Sequence, residues 1–171
     1  MADGIDAVIE GLARDLGVAL KSRGLSAATA ESCTGGWVAM AITGVAGSSE
    51  WFDRGFVTYS NAAKQEQISV PAATIDAYGA VSAETATAMA QGALRHSRAA
   101  IAVAITGVAG PTGGSEQKPV GTVWFGFAAR DDRHLARHRR FSGDRTAVRA
   151  QAVRYALEGL LGLATGQLPP D

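Results

Sequence analysis

The 171-residue sequence holds a single cysteine, Cys33. One thiol closes no intramolecular disulfide and builds no multi-cysteine metal site. Histidine is nearly as scarce, with three copies, His96, His134 and His138. None sits in an HExxH pattern or a His/Asp/Glu cluster, so nothing in the spacing argues for a metal, and neither metal nor cofactor is expected. Aromatic residues make up only 6 %, and the apolar remainder is rich in alanine and valine, which suits close helix–sheet packing. No run reaches the roughly 18 apolar residues that a membrane span requires. Charge of neither sign dominates, with 16 Lys plus Arg against 16 Asp plus Glu, so there is no general electrostatic pull toward nucleic acid or acidic membrane. The start, MADGIDAVIEGLARDLG, is acidic and amphipathic rather than basic and then apolar, unlike a secretory leader. A cytoplasmic globular domain is expected, spanning residues 1–171 with a core over about 5–163.

What is present alternates between helix and strand patterns. Ile5, Val8, Ile9, Leu12, Leu16 and Leu20 recur at helical spacing, and Gly24 stops that run. A short extended stretch, 26–31, leads through Ser32-Cys33-Thr34-Gly35-Gly36 into an apolar helix over 37–43. Residues 54–60 have the β-branched and aromatic content of a strand. Asn61 is placed to cap a helix through Ile68, Pro71 to start another, and Ser82 to cap a helix over 83–95. The apolar run 99–106 reads as a central strand covered on both faces. A Gly/Pro-rich loop, 107–121, follows it. Strands over 122–129 and 135–141 and a final helix over about 144–163 complete the order, before Pro169-Pro170. The arginine-rich stretch 130–140 reads as a solvated edge guarded by charge. The fold class expected is a single-domain α/β sandwich, a mixed central sheet covered by helices.

Four patches carry candidate chemistry. Residues 31–36 place small polar groups at a strand-to-helix junction, where unpaired N–H groups hold an anion or a developing oxyanion; the alternative is a plain helix cap by Ser32 or Thr34. Cys33 there is either an acidified thiolate or a small buried apolar group. Gly47-Ser48-Ser49 offers two hydroxyls, which equally cap the next turn. Tyr59 and Lys64 pair a phenol with an amine; a desolvated lysine deprotonates a serine, whereas a solvated helix lysine does nothing of the kind. The loop from Gly107 has glycines that let amides approach a ligand, yet it matches neither a Walker loop nor GxGxxG. Its place after an apolar strand is where α/β folds bind ligands. The string ITGVAG occurs twice, at 42–47 and 105–110, with unrelated flanks, so it reads as two different joints of one site, the first delivering Ser48-Ser49 and the second opening the glycine loop, rather than as a duplication.

The ordered set AESCTGGWVA, GVAGSSEWFDRGFVTYSNAAK, GAVSAETA, ITGVAGPTGGSEQKPVGTVWFGFA and FSGDR resembles the CinA C-terminal domain family in its stand-alone form. The resemblance runs over nearly the whole chain and implies an amidase that converts the carboxamide of nicotinamide mononucleotide (NMN) to a carboxylate, with release of ammonia, in pyridine-nucleotide salvage. It implies a serine–lysine mechanism without metal. Ser49 is then the expected nucleophile, Lys64 the base and Tyr59 a supporting hydroxyl, with Ser32 as proton relay or rival nucleophile. Amides at 32–36, Gly35 among them, or at 47–49, with Gly47 and Ser48, would face the oxyanion. Thr106, Gly107, Gly110, Gly113 and Arg145 would hold the 5′-phosphate. A homo-oligomer is expected, with a small-molecule substrate, no nucleic acid and no membrane. The alternative is a competence/damage-inducible nucleotide-binding protein without turnover.

Overall fold

In a computed structural model, which describes residues 2–167, the chain folds in the order α1 (Ala2–Arg23), β1 (Ala27–Glu31), α2 (Trp37–Thr43), β2 (Phe52–Val57), α3 (Asn61–Ile68), α4 (Ala72–Tyr78), α5 (Ala83–Arg95), β3 (Ile101–Gly107), β4 (Thr122–Ala129), β5 (His134–Arg140) and α6 (Arg145–Thr165). A single 3-10 turn, Ser48–Glu50, precedes β2. The side chain of Ile5 and the Pro169-Pro170 end fall outside the described residues.

The five strands form one mixed sheet in the order β2-β1-β3-β4-β5. β2, β1 and β3 run parallel, and β4 and β5 are antiparallel additions. From β1 the chain moves to one side to make β2 and then crosses back to the other side to make β3. Such a reversal opens a crevice at the carboxyl ends of β1 and β3, where the two connections part to opposite faces. β5 is an edge strand, and every position of its sequence HLARHRR is exposed or half-buried, as the arginine-rich pattern implied.

The period-2 alternation of strands sorts the core by side-chain size. On β3, Ile101, Val103 and Ile105 join Val123, Phe125 and Phe127 against α1, α2 and α6. The intervening Ala102 and Ala104 join Ala28, Ala30 and Ala128 against Met89, Ala90 and Ala93 of α5. The alanine-lined face lets α5 approach so closely that a Cβ on Gly126 would run into the backbone carbonyl of Ala86.

Most expected elements form near their expected bounds, with three differences. Strand β2 ends at Val57 rather than Ser60, because Ser60 turns out to be the cap of α3, accepting from the Ala63 amide at 3.0 Å. Asn61 is instead the first residue of that helix. Val8 is exposed, whereas Ile9, Leu16 and Leu20 of the same periodic set are buried. Among the described residues, no helix is long and apolar enough to cross a membrane.

Replacing Gly126 with alanine overfills the α5–sheet contact. Gly126→Ala is expected to lower stability by about 2–3 kcal/mol, seen as a lower denaturant midpoint at unchanged slope.

Candidate active site

The crevice is built around the turn that joins β1 to α2. Glu31, the last residue of β1, is 1 % exposed. Its carboxylate accepts from the Thr34 hydroxyl at 2.7 Å and from the amides of Gly36, Val38 and Ala39 at 3.1, 3.1 and 2.9 Å. Those amides belong to the open end of α2, whose first N–H groups have no partner inside the helix. Gly36, at φ 96°, takes the left-handed conformation that admits the chain to the helix, and no side chain caps at that position. The cap expected from Ser32 or Thr34 is therefore supplied by Glu31, whose residue type alone marked it for no separate role.

With the α2 amides committed, the turn keeps two donors. The Ser32 amide donates to Ile105 O at 2.9 Å, and the Gly35 amide to Ser32 O at 3.0 Å. Among the described residues, the amide of Thr34 finds no acceptor and that of Cys33 meets only its own thiol. The expectation that amides through Gly36 face an oxyanion is thus narrowed to these two. From α6, Arg149 donates to the carbonyls of Cys33 and Thr34, each at 3.0 Å.

Ser32 and Lys64 meet across the crevice. Lys64 Nζ lies 3.1 Å from Ser32 Oγ and donates to Thr58 O at 2.9 Å. The lysine is 1 % exposed, the reverse of a solvated helix lysine. Among the described residues, no carboxylate pairs with it. Burial pushes its pKa down from the usual lysine value, since the charged form loses its hydration. The neighbouring Cys33 thiol is itself pushed up to about 12 by burial. It stays uncharged near neutrality, so it does not hold Lys64 protonated, and it is not an acidified thiolate.

A second group stands at the same edge. Arg145, the first residue of α6, donates to Gly110 O at 2.9 Å and to the hydroxyl of exposed Tyr59 at 3.2 Å. It borders a hollow of about 450 Å³ walled by Ala109, Pro111, Val120, Asp144 and Thr146. Gly110, at φ 80°, has no room for a Cβ, which would strike Val120. Gly107 ends β3, and Gly113 lies in the exposed loop at φ 86°. Thr106 is buried, its hydroxyl donated to Ala80 O at 2.7 Å.

The residues expected at Gly47, Ser48 and Ser49 are not brought to this crevice. The 3-10 turn holding both serines precedes β2, and Trp51 O accepts from the amide of Ala27, the first residue of β1. Ser32 follows the last residue of β1. The parallel pairing therefore separates Ser49 from Ser32 and Lys64 by the strand's length, about 15 Å at 3.3 Å per residue. Ser48 is buried and Ser49 exposed. A hollow of about 580 Å³ lined by Gln91, Arg95, Arg133 and His134 lies between α5 and the β4–β5 turn, and it holds none of the candidate residues. Among the described residues, no group of three or more His, Cys, Asp or Glu is placed to hold a metal ion. Arg149 was not anticipated from sequence; its only signal is its place one helical turn after Arg145.

A profile of the CinA C-terminal domain matches residues 9–164. The chain belongs to the CinA C-terminal domain family. It is 56 % identical over 155 residues to the nicotinamide-nucleotide amidohydrolase PncC of Escherichia coli strain K12, covering 91 % of this chain and 94 % of the relative. It is 53 % identical to the Pseudomonas putida protein of the same name, covering 90 % and 96 %. Among solved structures, the competence/damage inducible protein CihA from Agrobacterium tumefaciens superposes with a TM-score of 0.89 at 50 % identity, over 91 % of this chain and 95 % of that one.

The buried lysine has a stability signature. A group held below its unfolded pKa makes the unfolded chain bind more protons between the two values, so stability rises with pH across that window. Lys64→Met is expected to melt above the wild type at about pH 7, with the gap narrowing as pH climbs toward about 10. A gap that stays constant with pH would show that Lys64 is not neutralised on folding.

Proposed function

We propose that the protein is a nicotinamide-nucleotide amidase that hydrolyses the carboxamide of NMN with Ser32 as nucleophile and Lys64 as its base. The observation that carries this reading is the Ser32 Oγ–Lys64 Nζ contact of 3.1 Å around a lysine with 1 % exposure. The names of the relatives supply the substrate. The contact favours Ser32 over Ser49 of the sequence-based expectation, which the β1–β2 pairing sets about a strand's length from Lys64.

Lys64 as a neutral amine accepts the Ser32 proton while Oγ attacks the carboxamide carbon. The carbonyl oxygen becomes an oxyanion and receives the amides of Cys33 and Thr34. Positioned donors of this kind are typically worth about 3–4 kcal/mol each. The C–N bond then breaks, and Lys64 returns its proton to the departing ammonia. A water molecule, deprotonated by Lys64, attacks the ester carbon; the proton goes back to Ser32 Oγ as the carboxylate leaves. Arg145, with the amides of the loop after Gly107, faces the 5′-phosphate, and Tyr59 holds the arginine in place. The same reading puts the enzyme in the cytoplasm, in pyridine-nucleotide salvage, as a homo-oligomer without a nucleic-acid partner.

Ammonia release from NMN by the purified protein tests the substrate; binding without ammonia would instead support the nucleotide-binding alternative. Ser32→Ala is expected to lower kcat at least about a hundredfold with KM little changed, the pattern of a lost transition-state group. Ser49→Ala should stay close to wild type. If Ser49→Ala is the more damaging change, the nucleophile assignment is wrong. The rising limb of kcat/KM against pH should fall below the ordinary lysine value of 10.5, because only unprotonated Lys64 is competent. Arg145→Ala should raise KM for NMN at least about tenfold, while leaving KM for the dephosphorylated nucleoside nearly unchanged.

A further inference from the structure

We propose that Arg149 is the positioning residue of the oxyanion site, fixing the direction in which the Thr34 amide points. The inference rests on the reading of Ser32 as nucleophile. A trans peptide is planar, so its N–H points opposite to its own carbonyl. The carbonyl of Cys33 belongs to the same peptide as the Thr34 amide, and Arg149 Nε holds it at 3.0 Å. Holding that oxygen turns the Thr34 N–H away from α6. The Cys33 amide is set in the same way from inside the turn, because Gly35 N–H engages the carbonyl of Ser32 at 3.0 Å.

Apart from Lys64 on the Ser32 hydroxyl, every other hydrogen bond to residues 32–36 comes from their own neighbourhood or from the sheet. Glu31 and Ile105 are the anchors on that side. Arg149 is the contact from α6, with Nη2 on Thr34 O at 3.0 Å and its guanidinium 5.4 Å from the Trp37 ring. A guanidinium spans two carbonyls in one rigid fork, which a lysine ammonium does not reproduce. The cation behind the carbonyls also polarises their peptides and strengthens the opposing N–H donors. Arg149 touches no reacting atom in this scheme. It acts through the backbone of the residues that follow the nucleophile.

The test uses Arg149→Met, which keeps an apolar stem against Trp37, and Arg149→Lys, which keeps the charge. Two readouts are taken on protein with wild-type circular dichroism: ammonia release from NMN, and labelling of Ser32 by an alkyl fluorophosphonate followed by mass spectrometry. In labelling, Ser32 Oγ bonds to phosphorus, fluoride leaves, Lys64 takes the proton, and the phosphoryl oxygen occupies the oxyanion site. Arg149→Met is expected to lower kcat and the labelling rate together, by about ten- to a hundredfold. KM and the pH of the rising limb should stay within error of wild type. Arg149→Lys should recover only part of the loss, and guanidinium ion should restore turnover to Arg149→Ala.

Kcat and labelling within about twofold of wild type in both Met and Lys variants would overturn the inference. So would a fall in kcat with labelling intact. If the wild type labels at Ser32 but releases no ammonia from NMN, the amidase reading fails, and Arg149 is judged on labelling alone. A wild type that does neither overturns both. Should the Met variant not fold, the Lys variant decides by the same two readouts.

Discussion

Everything at the crevice depends on where the Glu31 carboxylate goes. A carboxylate taken out of water is expensive unless its oxygens are fully engaged. Here one hydroxyl and three amides engage them, all from residues 34–39. The negative charge also sits at the positive end of the α2 dipole. The result is a division of labour along eight residues of backbone. The amides of Gly36, Val38 and Ala39 belong to Glu31, carbonyls of the turn itself take those of Gly35 and Trp37, and the sheet takes the Ser32 amide, which leaves those of Cys33 and Thr34 over. A serine or threonine cap would have satisfied one or two amides with a neutral hydroxyl, leaving the rest of the helix end to compete for whatever enters.

The frame that presents this turn was legible in the sequence because it follows from periodicity. The run over 99–106 and the alternation through 122–129 state which strands are covered on both faces, and Ser82 in front of Glu84 states where α5 begins. Site residues at the carboxyl edge were legible as residue types: Ser32, Tyr59, Lys64, Gly110 and Arg145 were all marked. Which of them touch was not legible, because contact between positions as far apart as Ser32 and Lys64 is set by the β1–β2 pairing and not by local pattern. The place of Ser49 was illegible for the same reason. Its surroundings, a glycine and a second serine, are chemically plausible, and only strand direction places it at the opposite edge.

Strand direction also bears on the two ITGVAG strings. The first leads from α2 into the 3-10 turn ahead of β2, and the second runs off the end of β3 into the glycine loop. They stand at opposite ends of the parallel strands, which separates the two joints by the strand's length. Lys64 shows the complementary limit of sequence reading. Its helix, NAAKQEQI, is polar enough to pass for a surface element, yet it places one amine beneath the end of β2, where Thr58 O and Ser32 Oγ are the atoms it meets. The conflict between a polar helix and a buried amine is itself a mark of function.

The alanine-lined side of the sheet has a consequence for how the chain can change over time. Ala28, Ala30, Ala102, Ala104 and Ala128 already carry the smallest side chain a strand tolerates well, and Gly126 carries none. Substitution on that side therefore proceeds in one direction only, toward overfilling. The other side, built from Ile101, Val103, Phe125 and Phe127 against α1 and α6, can trade volume between neighbours in either direction. The alanine-lined side therefore acts as a fixed spacer, setting how closely α5 lies on β1, β3 and β4.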